Sequence, residues 1–416
     1  MLHIFLNKGI KDDIYYWSEL NKVINIYCQL KKICPELDSI NIGGGFPIKH
    51  SLAFEYDYQF MINEIVSNIK KGCKKAKGNQ KFIVCNADEG DPGAYSDRYL
   101  LEQQPHSVLL GMMIAGYITG AETGVVYIRG EYPEAIRITQ EAIDDLYKQE
   151  LLGDNILNSG FNYHFKVIGA QGAYICGEET ALLSSIEGQR PEVRVRPPYP
   201  VQQGLFNKPT VVNNVETISA VPWIVNNSGA DYAGIGIGRS TGTKLISASG
   251  NIKNQGVFEI ELGISVYEFM NSDEYCGGMQ TDRPLKALVP GGSSVPILPA
   301  NLIYKTANGE DRLMTYESLS DGGFATGSML GSGGFIVYDD RACIVRNTWN
   351  FSRFYHHESC GQCTPCREGT GWMEKLLGRI KVGNADYAEI DMLEELSYQI
   401  EGHTICALGD AAAWPV

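Results

Sequence analysis

The chain has 416 residues, of which 44% are hydrophobic, and its 35 basic and 49 acidic residues give a net charge of −14. This length predicts two or three domains with ample material for packed cores. The acidic balance argues against a nucleic-acid surface, and the dense basic run 70–77 (KKGCKKAK) is interpreted as a solvated helix end or loop. Eleven cysteines without disulfide-framework spacing indicate reduced thiols in a cytosolic compartment.

No segment predicts a leader or a membrane span. The first residues (MLHIFLNKGIKDD) contain too short an apolar stretch for a signal peptide. The most apolar stretch, Val108–Thr119, falls short of a bilayer and predicts a buried helix instead. We therefore expect contact with a membrane only through partner proteins.

The first part of the chain alternates between strand and helix patterns. An amphipathic helix is predicted at about Tyr58–Lys71. The predicted elements that follow are a buried strand at Lys81–Cys85, a helix from about Pro105, a strand at Gly124–Arg129, a helix from Pro133 to about Gln149, a strand at Phe165–Ile168 and a helix after GAQGAYICGEETALL. This alternation predicts an α/β fold with a doubly wound, mostly parallel sheet. Functional groups should then lie on loops at the carboxyl ends of its strands.

The pattern changes near Gly242. Short strands are predicted at Thr243–Gly250, Gly256–Leu262 and Lys286–Pro290, separated by glycine and asparagine turns, which indicates a small α+β module. From Asp340 onward the chain becomes helical again, with predicted helices at Gly371–Ile380 and Tyr387–Ile400.

Four cysteines carry the strongest chemical signal. Cys360, Cys363 and Cys366 are spaced by two residues each, and Cys406 follows 39 intervening residues later. Such a triplet with one distant cysteine is typical of a [4Fe–4S] cluster, whereas structural zinc sites normally use two separated pairs. We predict a cluster held in the loop before the helix at Gly371–Ile380 and at the end of the helix at Tyr387–Ile400. The nearby His356, His357 and His403 are expected to support the site rather than to bind iron.

An acidic turn follows the first predicted strand. The segment Asn86–Gly93 (NADEGDPG) carries Asp88, Glu89 and Asp91 within four positions, and carboxylates this close repel one another unless something organises them. A ligand rich in hydroxyl groups or positive charge could do so, as could backbone N–H groups at the next helix start. Taken alone, an acidic surface turn is the simpler interpretation.

Two further motifs are weak in isolation. The turn at Gly169–Thr180 has glycines before a helix start, where a phosphate could bind, but it is neither a GxGxxG fingerprint nor a P-loop. Its adjacent Glu178 and Glu179 could equally be favoured by the helix dipole. In PTVVNNVET, Asn213 and Asn214 could bind the polar edge of a flavin or a phosphate, or could cap a helix.

Several motifs together resemble one family. The segments NADEGDPGAYSDR, GAYICGEETALLSSIEG, KPTVVNNVETI, STGTKLISASG, VPGGSSVP, SCGQCTPCREGTGWM and TICALGDAAAWP occur in one order from about Ala76 to the last residue. In this order and spacing they are similar to the NADH-binding flavoprotein subunit of respiratory complex I. The resemblance implies a Rossmann-like FMN domain at 76–240 after a divergent region at 1–75. It also implies a ubiquitin-like module of the β-grasp or SLBB type at 241–338 and a helical [4Fe–4S] domain at 339–416.

The resemblance also implies the site residues. The positions that match FMN contacts are Asn86, Asp88, Gly177, Glu178, Asn213, Asn214 and Thr217. The positions that match the nicotinamide-nucleotide side are Glu89, Asp91, Glu179 and Tyr199. We add Tyr174, in the same turn as Gly177, to the predicted cofactor-binding residues. No side chain is expected to be catalytic by itself, because the flavin carries the chemistry while Glu89 and Asp91 orient NADH.

One departure from the family concerns the flavin-binding glycine loop. Its family form is G-R-G-G-A-G-F-P-T-G-x-K-W, and the nearest segment here, Ile42–Lys49, lacks the arginine and the T-G-x-K-W tail. Alternatively, the segments around Gly72 and Cys73 match the loop's two flanks, as though the loop itself were missing. Either alignment predicts fewer backbone donors for the FMN phosphate and a lower affinity.

The activity that the resemblance implies is hydride transfer from NADH to FMN, followed by single-electron transfer to the cluster. The implied partners are a thioredoxin-like [2Fe–2S] subunit and a large multi-cluster subunit, with quinone as the final acceptor. The implied location is the cytoplasmic face of the plasma membrane, as a peripheral part of a membrane complex. Two alternatives stay open: the flavin-bearing component of an NAD-coupled hydrogenase or formate dehydrogenase, and a cluster-bearing scaffold without flavin.

Overall fold

The computed structural model describes Leu2–His3, Ile40–Asn41, 80–170, 172–320 and 327–416. The chain forms two compact units, Met1–Lys77 and Gly78–Val416. In the first unit, β1 (Leu2–His3) pairs in parallel with β2 (Ile40–Asn41). The predicted helix at Tyr58–Lys71, the basic run 70–77 and the glycine segment Ile42–Lys49 lie outside the described residues.

A five-stranded sheet begins the second unit. Its strands are β3 (Phe82–Ala87), β4 (Thr123–Ile128), β5 (Gly153–Ile156), β6 (Phe161–Gly169) and β7 (Thr210–Asn214). They lie in the order β5-β6-β4-β3-β7, and every pair except the antiparallel β5–β6 is parallel. The central strands β3 and β4 are buried along almost their whole length, as helices on both faces of a parallel sheet require. The predicted mostly parallel α/β sheet is therefore confirmed.

Helices connect and cover these strands. They are α1 (Ser96–Gln103), α2 (Pro105–Thr119), α3 (Pro133–Lys148), α4 (Glu179–Ile186), α5 (Pro200–Gln203), α6 (Val215–Ser219), α7 (Val221–Asn226) and α8 (Gly229–Ala233). The predicted buried helix at Val108–Thr119 belongs to α2, but only one face of α2 is buried, and Tyr117 and Ile118 are exposed. Among the described residues, no helix is both long enough and apolar enough to cross a bilayer.

A second five-stranded sheet follows a small hairpin of β8 (Gly236–Ile237) and β9 (Ser240–Thr241). Its strands are β10 (Thr243–Gly250), β11 (Gly256–Glu261), β12 (Leu285–Val289), β13 (Leu298–Pro299) and β14 (Gly334–Asp339), in the order β11-β10-β14-β12-β13. The helices α9 (Val266–Asn271), α10 (Ala300–Ile303) and α11 (Tyr316–Leu319) accompany it. The three strands expected here are present, whereas β14, the central strand, is absent from the sequence prediction.

Four helices end the chain: α12 (Ile344–Glu358), α13 (Thr364–Lys381), α14 (Tyr387–Ile400) and α15 (Leu408–Ala413). The predicted start of α13 at Gly371 is seven residues late. Gly369 and Gly371 lower helix propensity, but Gly369 packs against Ile400 so closely that a Cβ would lie 2.7 Å from that side chain. Close packing with α14 therefore extends α13 through both glycines.

The late helix start also changes the expected positions of the cysteines. Cys360 lies in the loop before α13, but Cys363 is the residue that caps α13 and Cys366 lies in its first turn. Cys406 is not at the end of α14, which stops at Ile400, but in the loop that leads to α15.

The contact between α2 and α6 gives a test of this packing. A Cβ at Gly111 would overlap the carbonyl oxygen of Ile218, so we expect Gly111→Ala to destabilise the protein by about 1–3 kcal/mol through overpacking. Helix propensity alone predicts the opposite, a gain of about 1 kcal/mol.

The measurement is the melting temperature of the purified chain. Gly229→Ala is the matched control, because Gly229 begins an exposed helix and a Cβ there would meet no atom within 4 Å. That control should change stability by less than about 0.5 kcal/mol. A melting temperature for Gly111→Ala equal to or above that of Gly229→Ala would contradict the close approach of α2 and α6.

Candidate functional site

A cavity of about 780 Å³ opens where β3 and β7 end. The loop after β3, the turn before α4 and the start of α6 supply much of its wall, and the second sheet and the last loop and helix of the chain supply the rest. The predicted site residues that line it are Asp88, Glu89, Asp91, Tyr174, Gly177, Glu178, Asn214 and Thr217. This volume lies within the range of ligand-binding pockets, and its place at the carboxyl ends of parallel strands is the expected one.

Asp88 is the residue of this cavity with unused hydrogen-bonding capacity. Its Oδ2 is buried and has no hydrogen-bond partner in the part of the chain that the structure describes. Burial raises the pKa of Asp88 to about 7, although the nearby Arg129 lowers it in part. A buried polar atom without a partner is costly, so Asp88 fits a ligand that presents a polar edge to it.

Glu89 has its carboxylate satisfied by the start of α1. The backbone N–H groups of Asp97 and Arg98 donate to it over 3.0 and 3.3 Å, and the Tyr132 hydroxyl donates over 3.2 Å. Burial raises its pKa, while these hydrogen bonds lower it. Organisation of the acidic turn by the next helix start, one of the alternatives open from the sequence, is therefore what the structure shows for Glu89.

Glu178 plays a similar part at α4. Its carboxylate accepts the backbone N–H groups of Thr180 and Ala181, both over 2.9 Å, and thereby caps the helix. Arg196 forms ion pairs with both Glu178 and Glu179. The two glutamates are thus held by one cation and a helix start, which offsets their mutual repulsion.

The asparagines tie neighbouring elements together. Asn214 caps α6 by accepting the Glu216 N–H over 2.8 Å, and its amide donates to Asp97 over 2.6 Å. Asn86, paired with Asn214 across β3 and β7, donates to the Gly177 carbonyl over 2.9 Å. Helix capping, the alternative to ligand binding, is therefore present at Asn214, which also lines the cavity.

Four predicted site residues do not line this cavity: Asn86, Asn213, Glu179 and Tyr199. Asn86 and Asn213 lie in the strands just behind it. Glu179 pairs with Arg196, and Tyr199 precedes α5 with 45% of its surface exposed.

Three charged residues of the lining were not predicted from the sequence: Asp97, Glu216 and Lys244. Asp97 is buried, and burial together with the Glu89 charge raises its pKa well above the usual range. Glu216 of α6 forms an ion pair with Lys244 of β10 and accepts the Leu245 N–H over 2.7 Å. Lys244 is the only cationic side chain among the described lining residues. All three stand inside the motifs quoted above, but only the folded chain shows that they face one cavity.

The four predicted cluster cysteines line a second, smaller cavity. Cys360, Cys363, Cys366 and Cys406 surround it, and burial raises the pKa of the Cys366 and Cys406 thiols to about 11. Across the described residues, no group of three or more His, Cys, Asp or Glu side chains is arranged to hold a single metal ion. Four thiols around one common space therefore fit a cluster better than a zinc ion.

The histidines near the cysteines have other partners. His356 contacts Glu374 over 2.7 Å, His357 contacts Glu358 over 3.0 Å, and His403 contacts the Glu401 carbonyl over 2.8 Å. None of the three lines the cavity of the cysteines in the described structure.

The two cavities share a wall. Ile175, Cys406 and Leu408 line both of them. Apolar side chains of this wall and the Tyr174 ring, together with the polar groups of Asp88, Asn214 and Thr217, fit a flat ring with a hydrogen-bonding edge, which a flavin has. The residues present therefore fit both cofactors that the sequence implies.

Comparison with known proteins agrees with this geometry. Residues 66–223 match the family model described as the Nuo51 FMN-binding domain, and residues 346–416 match the iron-sulfur binding region of NADH-ubiquinone oxidoreductase F. The chain is 46% identical over 340 residues to the second F-type component of the NADH-quinone oxidoreductase of Rhizobium meliloti, covering 82% of this chain and 77% of that one. It is 43% identical over 344 residues to the F-type component of Rhodobacter capsulatus, with the same coverage of both.

A solved structure is also similar. A chain of the NAD⁺-reducing [NiFe]-hydrogenase in its H₂-reduced state superposes with a TM-score of 0.72 at 32% identity. The match covers 84% of this chain but only 56% of the hydrogenase chain. On the higher identity and coverage of the curated relatives, this chain belongs to the F-type family of NADH-quinone oxidoreductase components, whose FMN-binding and iron–sulfur-binding regions it contains.

Proposed function

We propose that this chain is the NADH-oxidising component of an NADH-quinone oxidoreductase and holds FMN in the larger cavity and one [4Fe–4S] cluster in the smaller one. The observation that carries the proposal is the shared wall, because Cys406 belongs to the cysteine set and also lines the larger cavity. Two cofactor sites on either side of one wall suit single-electron transfer between them. When bound, FMN converts the electron pair of NADH into single electrons.

The protein's own groups bind and orient. Asp88, Gly177, Asn214 and Thr217 would hold the polar edge of the flavin ring, with Asp88 Oδ2 gaining a ligand atom as its partner. Asn86, Asn213 and Glu178 would support that edge from the strands and the start of α4. Tyr174 would pack against the ring, and Cys360, Cys363, Cys366 and Cys406 would hold the cluster.

The nucleotide-binding groups are proposed in the same way. Glu89 and Asp91 would accept hydrogen bonds from NADH, while Glu179 and Tyr199, farther out, would contact the rest of the nucleotide. Arg196 keeps a positive charge beside Glu178 and Glu179. Lys244 is available to the phosphate groups that an otherwise acidic lining would repel.

The surroundings of the chain belong to the same proposal. Its relatives are components of larger assemblies, so we propose that a thioredoxin-like [2Fe–2S] subunit and a multi-cluster subunit receive the electrons and pass them to quinone in a translocating complex. We further propose that this complex lies at the cytoplasmic face of the plasma membrane. The four-part division at residues 75, 240 and 338 is kept as the proposed domain organisation.

A flavin-bearing component of hydrogenase type is the second candidate. The similarity to the NAD⁺-reducing hydrogenase supports it, but at 32% identity this similarity is weaker than the 43–46% identity to the relatives from NADH-quinone oxidoreductases. Purification of the tagged chain from its source distinguishes the two candidates. We expect co-purification of quinone-reducing activity; hydrogen-dependent NAD⁺ reduction in its place would contradict the proposal.

Cofactor content is the direct test of the proposed function. We expect about one FMN and about four iron and four sulfide per chain, because the two cavities fit these groups. Released FMN, iron and sulfide are quantified, and the visible spectrum is recorded before and after NADH is added. Bleaching by NADH supports the proposal. A full cluster without flavin would instead leave the cluster-bearing scaffold as the function.

Replacement of one cysteine tests the ligand set. Cys406→Ser should lower iron and sulfide content severalfold and alter the electron paramagnetic resonance spectrum of the reduced cluster, because serine replaces a thiolate ligand. Cys343→Ser is the matched control, since Cys343 is exposed and lines neither cavity. Equal cluster content in the two variants would exclude Cys406 as a ligand.

A further inference from the structure

A hydrogen-bond network fixes Asp91 from outside its own loop. Ser293 donates to Asp91 Oδ1 over 2.8 Å, and Ser332 donates to Oδ2 over 2.6 Å. Ser293 lies between β12 and β13, and Ser332 lies just before β14, so both serines belong to the second sheet. Each oxygen of a carboxylate on the first sheet therefore receives one hydroxyl donor from the second.

Both serines are themselves held in place. Ser293 is fully buried; its backbone N–H donates to the Pro92 carbonyl over 3.1 Å, and its hydroxyl also contacts the Tyr355 hydroxyl of α12 over 2.8 Å. The Ser332 hydroxyl also contacts the Gly291 carbonyl over 3.0 Å. Groups that are rigidly supported lose little conformational entropy when they orient a carboxylate.

The backbone near Asp91 leaves no room for another arrangement. Gly292 has a φ of +89°, and a Cβ on it would overlap Asp91 Oδ2. The carboxylate therefore lies directly against the backbone of the second sheet, and the two serine hydroxyls stand on either side. An ionised carboxylate can accept about four hydrogen bonds, so Asp91, which lines the cavity, keeps acceptor capacity for a ligand.

We propose that Ser293 and Ser332 are positioning residues, which keep the Asp91 carboxylate ionised and oriented to accept hydrogen bonds from the hydroxyl groups of a nucleotide ribose. This inference rests on the proposed function and adds residues that do not touch the nucleotide. It also connects nucleotide binding to α12, because Ser293 bridges Asp91 and Tyr355.

The charges around Asp91 give the proposal a measurable pH dependence. Burial raises the pKa of Asp91 to about 6, while hydrogen bonds from Ser332, Ser293 and Ser294 lower it. Tyr174 and Tyr355 face Asp91 from other elements, and burial raises the pKa of both, so they stay neutral below pH 8. Asp88 and Glu89, on the same loop, titrate in every variant alike.

Loss of either serine should therefore raise the pKa of Asp91 further. A hydrogen bond to a charged group contributes about 1.5–3 kcal/mol, which corresponds to a shift of about one pH unit or more. Because the ionised carboxylate is the better acceptor, nucleotide affinity is lost as the pH falls through this pKa. The loss should begin at a higher pH in the variants than in the wild-type protein.

The experiment measures NAD⁺ binding to the full chain by calorimetry between pH 5 and pH 8, a readout that needs no turnover. We expect Ser293→Ala and Ser332→Ala to move the acid-side midpoint of affinity up from about pH 6 by about one unit. At pH 6.5 this corresponds to affinity about threefold weaker. Ser332→Thr keeps a hydroxyl and should restore the wild-type midpoint.

Ser328→Ala is the matched control. Ser328 is a fully buried serine whose hydroxyl donates to the Pro296 carbonyl over 2.6 Å rather than to Asp91. Its replacement should leave the midpoint unchanged. In an Asp91→Asn background, removal of Ser332 should have no further effect, because the two residues act as one unit.

The outcomes separate the inference from the function on which it rests. If the wild-type protein binds NAD⁺ but the serine variants keep its midpoint, as Ser328→Ala does, the positioning role is wrong and the proposed function stands. If correctly folded wild-type protein binds no NAD⁺ at any pH, both are overturned. Circular dichroism of each variant shows that a changed affinity does not arise from unfolding.

Discussion

The site depends on one constraint: several carboxylates must be kept close together in a partly dry cavity. Asp88, Glu89 and Asp91 follow β3 directly, and Glu178, Asp97 and Glu216 face the same space. Like charges this close raise one another's pKa and oppose folding. The protein offsets this repulsion locally, since helix starts hold Glu89 and Glu178, Lys244 pairs with Glu216, and two serines bind Asp91.

These local solutions require three parts of the chain to meet. The Asp91 carboxylate of the first sheet receives donors from the loops of the second sheet, and Ser293 continues the network to Tyr355 on α12. The last loop then supplies Cys406 to both cavities. The larger cavity and the cysteine cavity therefore share residues, and a change in one part is felt by the others through direct contacts.

Asp88 differs from its neighbours in this respect. Glu89, Asp91 and Glu178 have donors from the protein, whereas Asp88 Oδ2 has none among the described residues and its pKa is raised to about 7. The protein thus leaves unsatisfied a carboxyl oxygen that a bound flavin could satisfy. Such an unmet hydrogen bond costs stability in the free protein and is recovered on binding.

The sequence by itself determined the α/β class, most strand positions and the cysteine set, because these depend on local periodicity and on spacing along the chain. It placed the start of α13 late, since Gly369 and Gly371 hide a helix that only packing against Ile400 explains. It also left β14 unrecognised. The roles of Lys244, Ser293 and Ser332 came from the tertiary structure alone, because each lies more than 100 residues from the carboxylates of the β3 loop and no sequence pattern records which residues meet across two sheets.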